Sequence, residues 1–140
     1  MQPITLNFTV SADDLTCAGE ASGEIKRVLK KLGFSSDIVR RVAIAAYEAE
    51  INMVIHADGG TITAWIAPDE VCVEFADVGP GIPDIGLAMQ EGYSTASETI
   101  REFGFGAGMG IPNIKKYTDE LDIQTRLQEG TTLTFKVKVA

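Results

Sequence analysis

From Thr5 to Val10 polar and apolar residues alternate, placing Leu6, Phe8 and Val10 on one side, the period of a half-buried β-strand. Ser11-Ala12-Asp13-Asp14 interrupts the pattern. The period then changes to that of a helix over 18–32, with Ile25, Val28, Leu29 and Leu32 at helical spacing and Gly33 as the stop. A second, longer helix is predicted from Ser36 or Asp37, both good N-caps, to about His56, with Ile44, Ile51 and Ile55 in its apolar stripe. Asp58-Gly59-Gly60 reads as the turn that ends it. Two β runs, 61–67 and 71–76, follow around Pro68-Asp69-Glu70, a spacing that demands an antiparallel hairpin. A short helix is predicted over 84–90 and another over 111–117, before closing strands at 121–127 and 132–139. Helices interleaved with hairpins predict an α+β layer sandwich rather than a doubly wound parallel sheet.

The 140 residues suit one domain spanning 1–140, and no repeat, linker or low-complexity tract divides them. Apolar residues make up 45% of the chain, enough to offset the entropy of ordering it. No apolar run approaches the roughly 20 residues of a membrane span, and the N-terminus lacks a basic start and a continuous apolar block, so a cytoplasmic protein is expected. The net charge of −8 argues against nucleic acid and against anionic membranes. The basic pairs Lys26-Arg27, Lys30-Lys31, Arg40-Arg41 and Lys115-Lys116 read as solvated helix edges. Cys17 and Cys72 form no C-x-x-C pattern and read as reduced, buried thiols. Trp65 and the phenylalanines are expected in the core, and Glu50 on a solvated helix face.

Between Asp77 and Gly110 the composition shifts to eight glycines and two prolines. Asp77-Val78-Gly79-Pro80-Gly81 directly follows a strand, and Gly104-Phe105-Gly106-Ala107-Gly108-Met109-Gly110 directly precedes a helix. Backbone without Cβ atoms approaches a ligand closely, and ahead of a helix N-terminus it offers N–H groups to an anion. The Walker A loop is excluded, because no glycine is followed by lysine, and the spacing does not match G-x-G-x-x-G. On the second helix Glu48 and Asn52 lie one turn apart on one face. An amide oxygen suits Mg²⁺, and a carboxylate one turn away can orient or deprotonate a hydroxyl or water.

Taken in order, Glu48-x-x-x-Asn52, Asp77-x-Gly79-x-Gly81, the glycine run to Gly110 and Gly130-Thr131-Thr132 resemble the nucleotide-binding boxes of the GHKL ATPase superfamily. The resemblance covers the chain from about Phe8 onward. It is strongest to the small anti-sigma-factor and switch-protein serine kinases, through Tyr47-Glu48-Ala49-Glu50-Ile51-Asn52, Asp77 to Asp84 and Glu91-Gly92-Tyr93-Ser94-Thr95. It implies a two-layer Bergerat-type sandwich, with a mixed, mainly antiparallel sheet covered by helices on one face. It makes Asn52 the Mg²⁺ ligand, Glu48 the general base and Asp77 the acceptor of the adenine amino group, with Thr131 assisting. Gly79 and Gly81 would pass beside the base, Gly106, Gly108, Met109 and Gly110 would wrap the phosphates, and 94–105 would form an ATP lid, in which Arg101 either reaches the γ-phosphate or, the favoured reading, pairs with a glutamate. His56 would be a helix-end hydrogen bonder.

The implied function is a Mg-ATP-dependent protein serine/threonine kinase that regulates transcription or stress signalling. Its substrate would be a small STAS-domain anti-sigma-factor antagonist or switch protein, with a sigma factor or a PPM-type phosphatase as further partners and a homodimer compatible with the family. The alternative is a nucleotide-loaded scaffold that sequesters a sigma factor or activates a phosphatase without appreciable transfer. A carboxylate paired with Asn52 favours the kinase, since a pure scaffold has no chemical need of Glu48.

Overall fold

The alternating strands and amphipathic helices assemble into two layers. A computed structural model describes residues 3–11, 19–56, 59–77, 110–126 and 130–139. The elements are β1 (Ile4–Ser11), α1 (Glu20–Lys31), α2 (Ser36–His56), β2 (Gly59–Ile66), β3 (Glu70–Asp77), α3 (Gly110–Tyr117), β4 (Glu120–Arg126) and β5 (Gly130–Lys138). The strands form one five-stranded sheet in the order β1-β2-β3-β5-β4, and every described pairing is antiparallel, in keeping with the mainly antiparallel sheet expected. The helix expected over 84–90 and the lid at 94–105 lie outside the described residues.

Period-two burial fixes the sheet's inner face. Ile62, Ala64 and Ile66 on β2, Val71, Val73 and Phe75 on β3, and Leu133, Phe135 and Val137 on β5 are buried, and their neighbours in sequence point the other way. Phe75 and Phe135 stack with ring centroids 5.9 Å apart. Against this face α2 sets Ile38, Val42, Ala45, Ala46, Ala49 and Met53, and α1 adds Ile25 and Leu29. The stripe anticipated on α2 was too narrow. Ala45, Ala46 and Ala49 are also buried, and Ile44 is only half-buried.

Two residues assigned to the core lie elsewhere. Trp65 is 41% exposed and Cys72, its partner across β2 and β3, is half-buried, because both point to the face that the described helices do not cover. Alternation decides this: Ala64 and Ile66 point inward, so Trp65 between them cannot. Cys17 is outside the described residues.

The termini of the helices show why they stop and start where they do. Gly33 takes φ +87° and donates its N–H to Lys30 O, and Phe34 N–H reaches Leu29 O, the paired closure of a Schellman motif. The N-cap of α2 is Ser35, whose Oγ accepts from Ile38 N–H at 3.3 Å, one residue ahead of the expected position. Gly59 and Gly60, expected in a turn, belong to β2, where Gly60 pairs with Val10 on one side and Asp77 on the other.

Candidate nucleotide site

The C-terminal end of β3, the starts of β2 and β5 and the last turns of α2 meet at one end of the sandwich. Asp77 is the last residue of β3, and its Oδ1 accepts the backbone N–H of Thr131 on β5 at 2.8 Å. Two glycines close on it from neighbouring strands. A Cβ on Gly60 would lie 2.7 Å from Asp77 Cα, 2.6 Å from Met53 Cε and against the carbonyl of Ala76. A Cβ on Gly130, where φ is +130°, would strike the Asp77 carbonyl. Asp77 is therefore held in backbone and side chain by groups that leave no slack. Gly79 and Gly81 lie outside the described residues.

Glu48 and Asn52 project from α2, both half-buried. Burial pushes the Glu48 carboxyl above its ordinary value, and a hydrogen bond from Asn113 Nδ2 to Oε1 at 3.5 Å works in the opposite direction. Asn113 stands on α3 and was not singled out in the sequence. The signal available was a polar side chain three residues beyond Gly110, on a helix whose Ile111 and Ile114 are buried. Seven residues back along α2, Arg41 donates from Nε to the carbonyl of Tyr117 at 3.1 Å and pairs with Asp119 at 3.2 Å. The pairs Arg41–Tyr117 and Glu48–Asn113 make α2 and α3 antiparallel. Asn52, a turn beyond Glu48, thus lies toward the N-terminus of α3, and Met53 beside it touches the Gly60 that flanks Asp77.

Gly110, the last of the expected phosphate-wrapping glycines, is the first residue of α3. Gly106, Gly108 and Met109 lie outside the described residues, as does Arg101. His56 ends α2, and its side chain is not described. Of the basic residues, Lys26, Arg27, Lys30, Lys31, Arg40, Lys115 and Lys116 are exposed, whereas Arg41 is committed to the end of α3.

Glu50 does not lie on a solvated face. It is 2% exposed, and its two carboxylate oxygens accept the backbone N–H groups of Ala21, at 3.2 Å, and Ser22, at 3.0 Å. These are unpaired donors of the first turn of α1, whose N-cap is Gly19 and has no side chain to serve them. The acid on α2 takes over the task of an N-cap residue.

Among the described residues no three His, Cys, Asp or Glu side chains cluster as a cage, and Asn52 offers one hard neutral oxygen. That donor set fits Mg²⁺, which takes few protein ligands and keeps waters and phosphate oxygens.

Residues 11–137 match the family described as the histidine kinase-like ATPase domain. The chain belongs to that family. It is 31% identical over 112 residues to the serine/threonine-protein kinase RsbT of Bacillus subtilis, covering 77% of this chain and 78% of that one. It is 34% identical over 141 residues to an anti-sigma F factor of Lysinibacillus sphaericus, covering 96% and 91%. The fold recurs within the crystal structure of the RsbU and RsbW domains of Rv1364c from Mycobacterium tuberculosis, with TM-score 0.64 and 15% identity over 99% of this chain and 32% of that longer one. The protein is thus a kinase-like enzyme of the serine/threonine-kinase and anti-sigma-regulator group. Among the described residues, no helix of this ATPase domain is long and apolar enough to cross a membrane.

Proposed function

We propose that the chain is a protein serine/threonine kinase of the anti-sigma or switch type, carrying the γ-phosphate of Mg-ATP to a Ser or Thr of a small STAS-domain antagonist. The observation that carries this reading is the half-buried Glu48, directed at α3 and one turn from Asn52. A carboxyl withdrawn from water at that place is a costly feature for a scaffold and a useful one for a base.

In this reading Asp77, pinned by Thr131, receives the adenine amino group and selects adenine over guanine. Asn52 would hold Mg²⁺, whose charge would offset that of the phosphates. The N-terminus of α3 at Gly110 and the glycines before it receive the phosphates. Glu48 takes the proton of the acceptor hydroxyl as the new O–P bond forms and the bond to the bridging oxygen breaks, so that ADP leaves with the bonding pair. The family match and the name of the Bacillus relative support the kinase class, and the partner class rests on the anti-sigma relatives.

The test begins with calorimetric titration of ATP, ADP and GTP, with and without Mg²⁺, into wild type and Asp77→Asn. Adenine nucleotides should bind, GTP should not, and Asp77→Asn should lose binding. Labelled-phosphate transfer to purified STAS-domain proteins, with Glu48→Ala as control, then separates kinase from scaffold. Tight ATP binding with no transfer to any acceptor would favour the scaffold.

A further inference from the structure

We propose that Asn113 is a positioning residue for Glu48, coupling the orientation of the base to the placement of the helix that begins at the glycine run. The inference rests on the kinase reading, because it takes Glu48 to be the base.

The argument starts from how α3 is held. It is a helix of eight residues, short enough to owe its stability to its neighbours rather than to its own propensity. At its C-terminal end Arg41 binds the Tyr117 carbonyl and Asp119, while Thr118 Oγ1 returns a hydrogen bond to Ile114 O at 2.8 Å. At its centre Ile114 is fully buried. Nearer its N-terminus the polar contact with α2 is Asn113 Nδ2 to Glu48 Oε1. These points fix the rotation of α3 about its axis, and the rotation that buries Ile114 leaves Asn113 beside it to face Glu48.

That contact has a direction. An amide N–H on Oε1 restrains the carboxyl and leaves Oε2 as the oxygen to take a proton. A half-buried carboxylate has little water to perform the same service, so a missing donor is not simply replaced. Asn113 is one turn from Gly110, so the placement of α3 reaches Glu48 through this side chain. The base is then oriented when the helix is in place.

The experiment has two arms on the full chain. In the first, the side-chain amide resonances of Asn113 are compared by NMR in wild type and Glu48→Ala. A clear shift is expected, and unmoved resonances would overturn the contact whatever the enzyme does. In the second, transfer of labelled phosphate to the STAS-domain protein that wild type phosphorylates fastest is measured in a double-mutant cycle. Asn113→Ala should slow kcat by about tenfold with KM for ATP within about twofold, a share of the roughly 10²–10⁴-fold that a general base supplies. Asn113→Asp keeps the shape without the donor and should be at least as slow. In a Glu48→Ala background Asn113→Ala should cost nothing further. Equal losses in both backgrounds, or a raised KM with kcat intact, would show a merely structural role and overturn the inference. No transfer by wild type to any acceptor would overturn the kinase reading instead, and the NMR arm would still decide whether Asn113 orients Glu48.

Discussion

Glu50 on α2 caps α1 at Ser22, an N–H to carboxylate contact of 3.0 Å between residues 28 apart in sequence. With Ala21 N–H on the other oxygen, the carboxylate meets two donors of the helix's positive end. The same end is packed by Tyr47, whose ring would lie 3.3 Å from a Cβ on Gly19. Two residues flanking Glu48 along α2 therefore anchor α1.

Removing that anchor is costly. Glu50→Ala leaves two buried N–H groups without their acceptor, at about 1–3 kcal/mol for each group left unmade. Glu50→Gln keeps one acceptor oxygen and should lose less. Urea denaturation should show the midpoint falling in the order wild type, Glu50→Gln, Glu50→Ala. Equal stability of all three would mean that water serves the first turn of α1.

The two strand glycines at the Asp77 end make a different prediction. Gly60→Ala places a methyl against the Ala76 carbonyl, Met53 and Asp77 Cα, and two of these are backbone. Overpacking of this kind costs typically about 1–3 kcal/mol. Because the displaced group is Asp77 itself, ATP affinity should fall by more than stability alone would explain, measured by calorimetry at a temperature where the variant is folded. Gly23→Ala is the control, since a Cβ there meets nothing within 4 Å.

The pattern of the chain made the layers legible because period two and period 3.6 are set by burial on one face. Ile25 and Leu29 are buried and Leu6 and Phe8 pack half-buried against the core, as helical spacing and alternation require. Asp77 stands at the end of a strand as its sequence position suggests, whereas the hydrogen bond its Oδ1 accepts from Thr131 N–H depends on strand register that no local motif reveals. Trp65, expected in the core, faces outward because its neighbours Ala64 and Ile66 take the inner face. Glu50 failed because its partner is a missing side chain at Gly19, a need that appears only when α1 and α2 are packed together. Asn113 failed for a similar reason: its partner Glu48 lies 65 residues away, and nothing local distinguishes the amide from a solvated helix residue.

Asp119 gives a pH-dependent prediction. The Lys138 N–H donates to its Oδ2 at 2.6 Å and holds its carboxyl below the ordinary value, with Arg41 assisting. A depressed folded pKa means that the carboxylate favours folding above its unfolded value, and that this favour is lost as pH falls through the lower folded one. Wild type should therefore exceed Asp119→Asn in thermal midpoint at neutral pH, and the gap should close below about pH 4, the unfolded aspartate value. The carboxylate is exposed enough for salt to narrow the Arg41 share, so the neutral-pH gap should also shrink in 1 M NaCl. A gap independent of pH would assign the effect to shape rather than charge.

Glu48 carries the opposite sign. Burial raises its carboxyl, so the folded state prefers the neutral acid, and the charged form weakens folding at pH values above the folded pKa. Glu48→Gln removes that penalty and should raise the thermal midpoint at neutral pH, with the advantage fading as the medium is acidified below the ordinary carboxylate range. The same substitution should lower phosphate transfer by about 10²–10⁴-fold, the usual contribution of a general base. In wild type the acid limb of kcat/KM should lie above the range of exposed carboxylates, because the limb reports the free enzyme. Asn113→Ala should move that limb further upward, since the donor that opposes the effect of burial is gone. Gained stability with lost transfer is the pattern of a group kept in an unfavourable place for its chemistry. Lost stability at neutral pH in Glu48→Gln would instead make Glu48 a structural acid and remove the base from the mechanism.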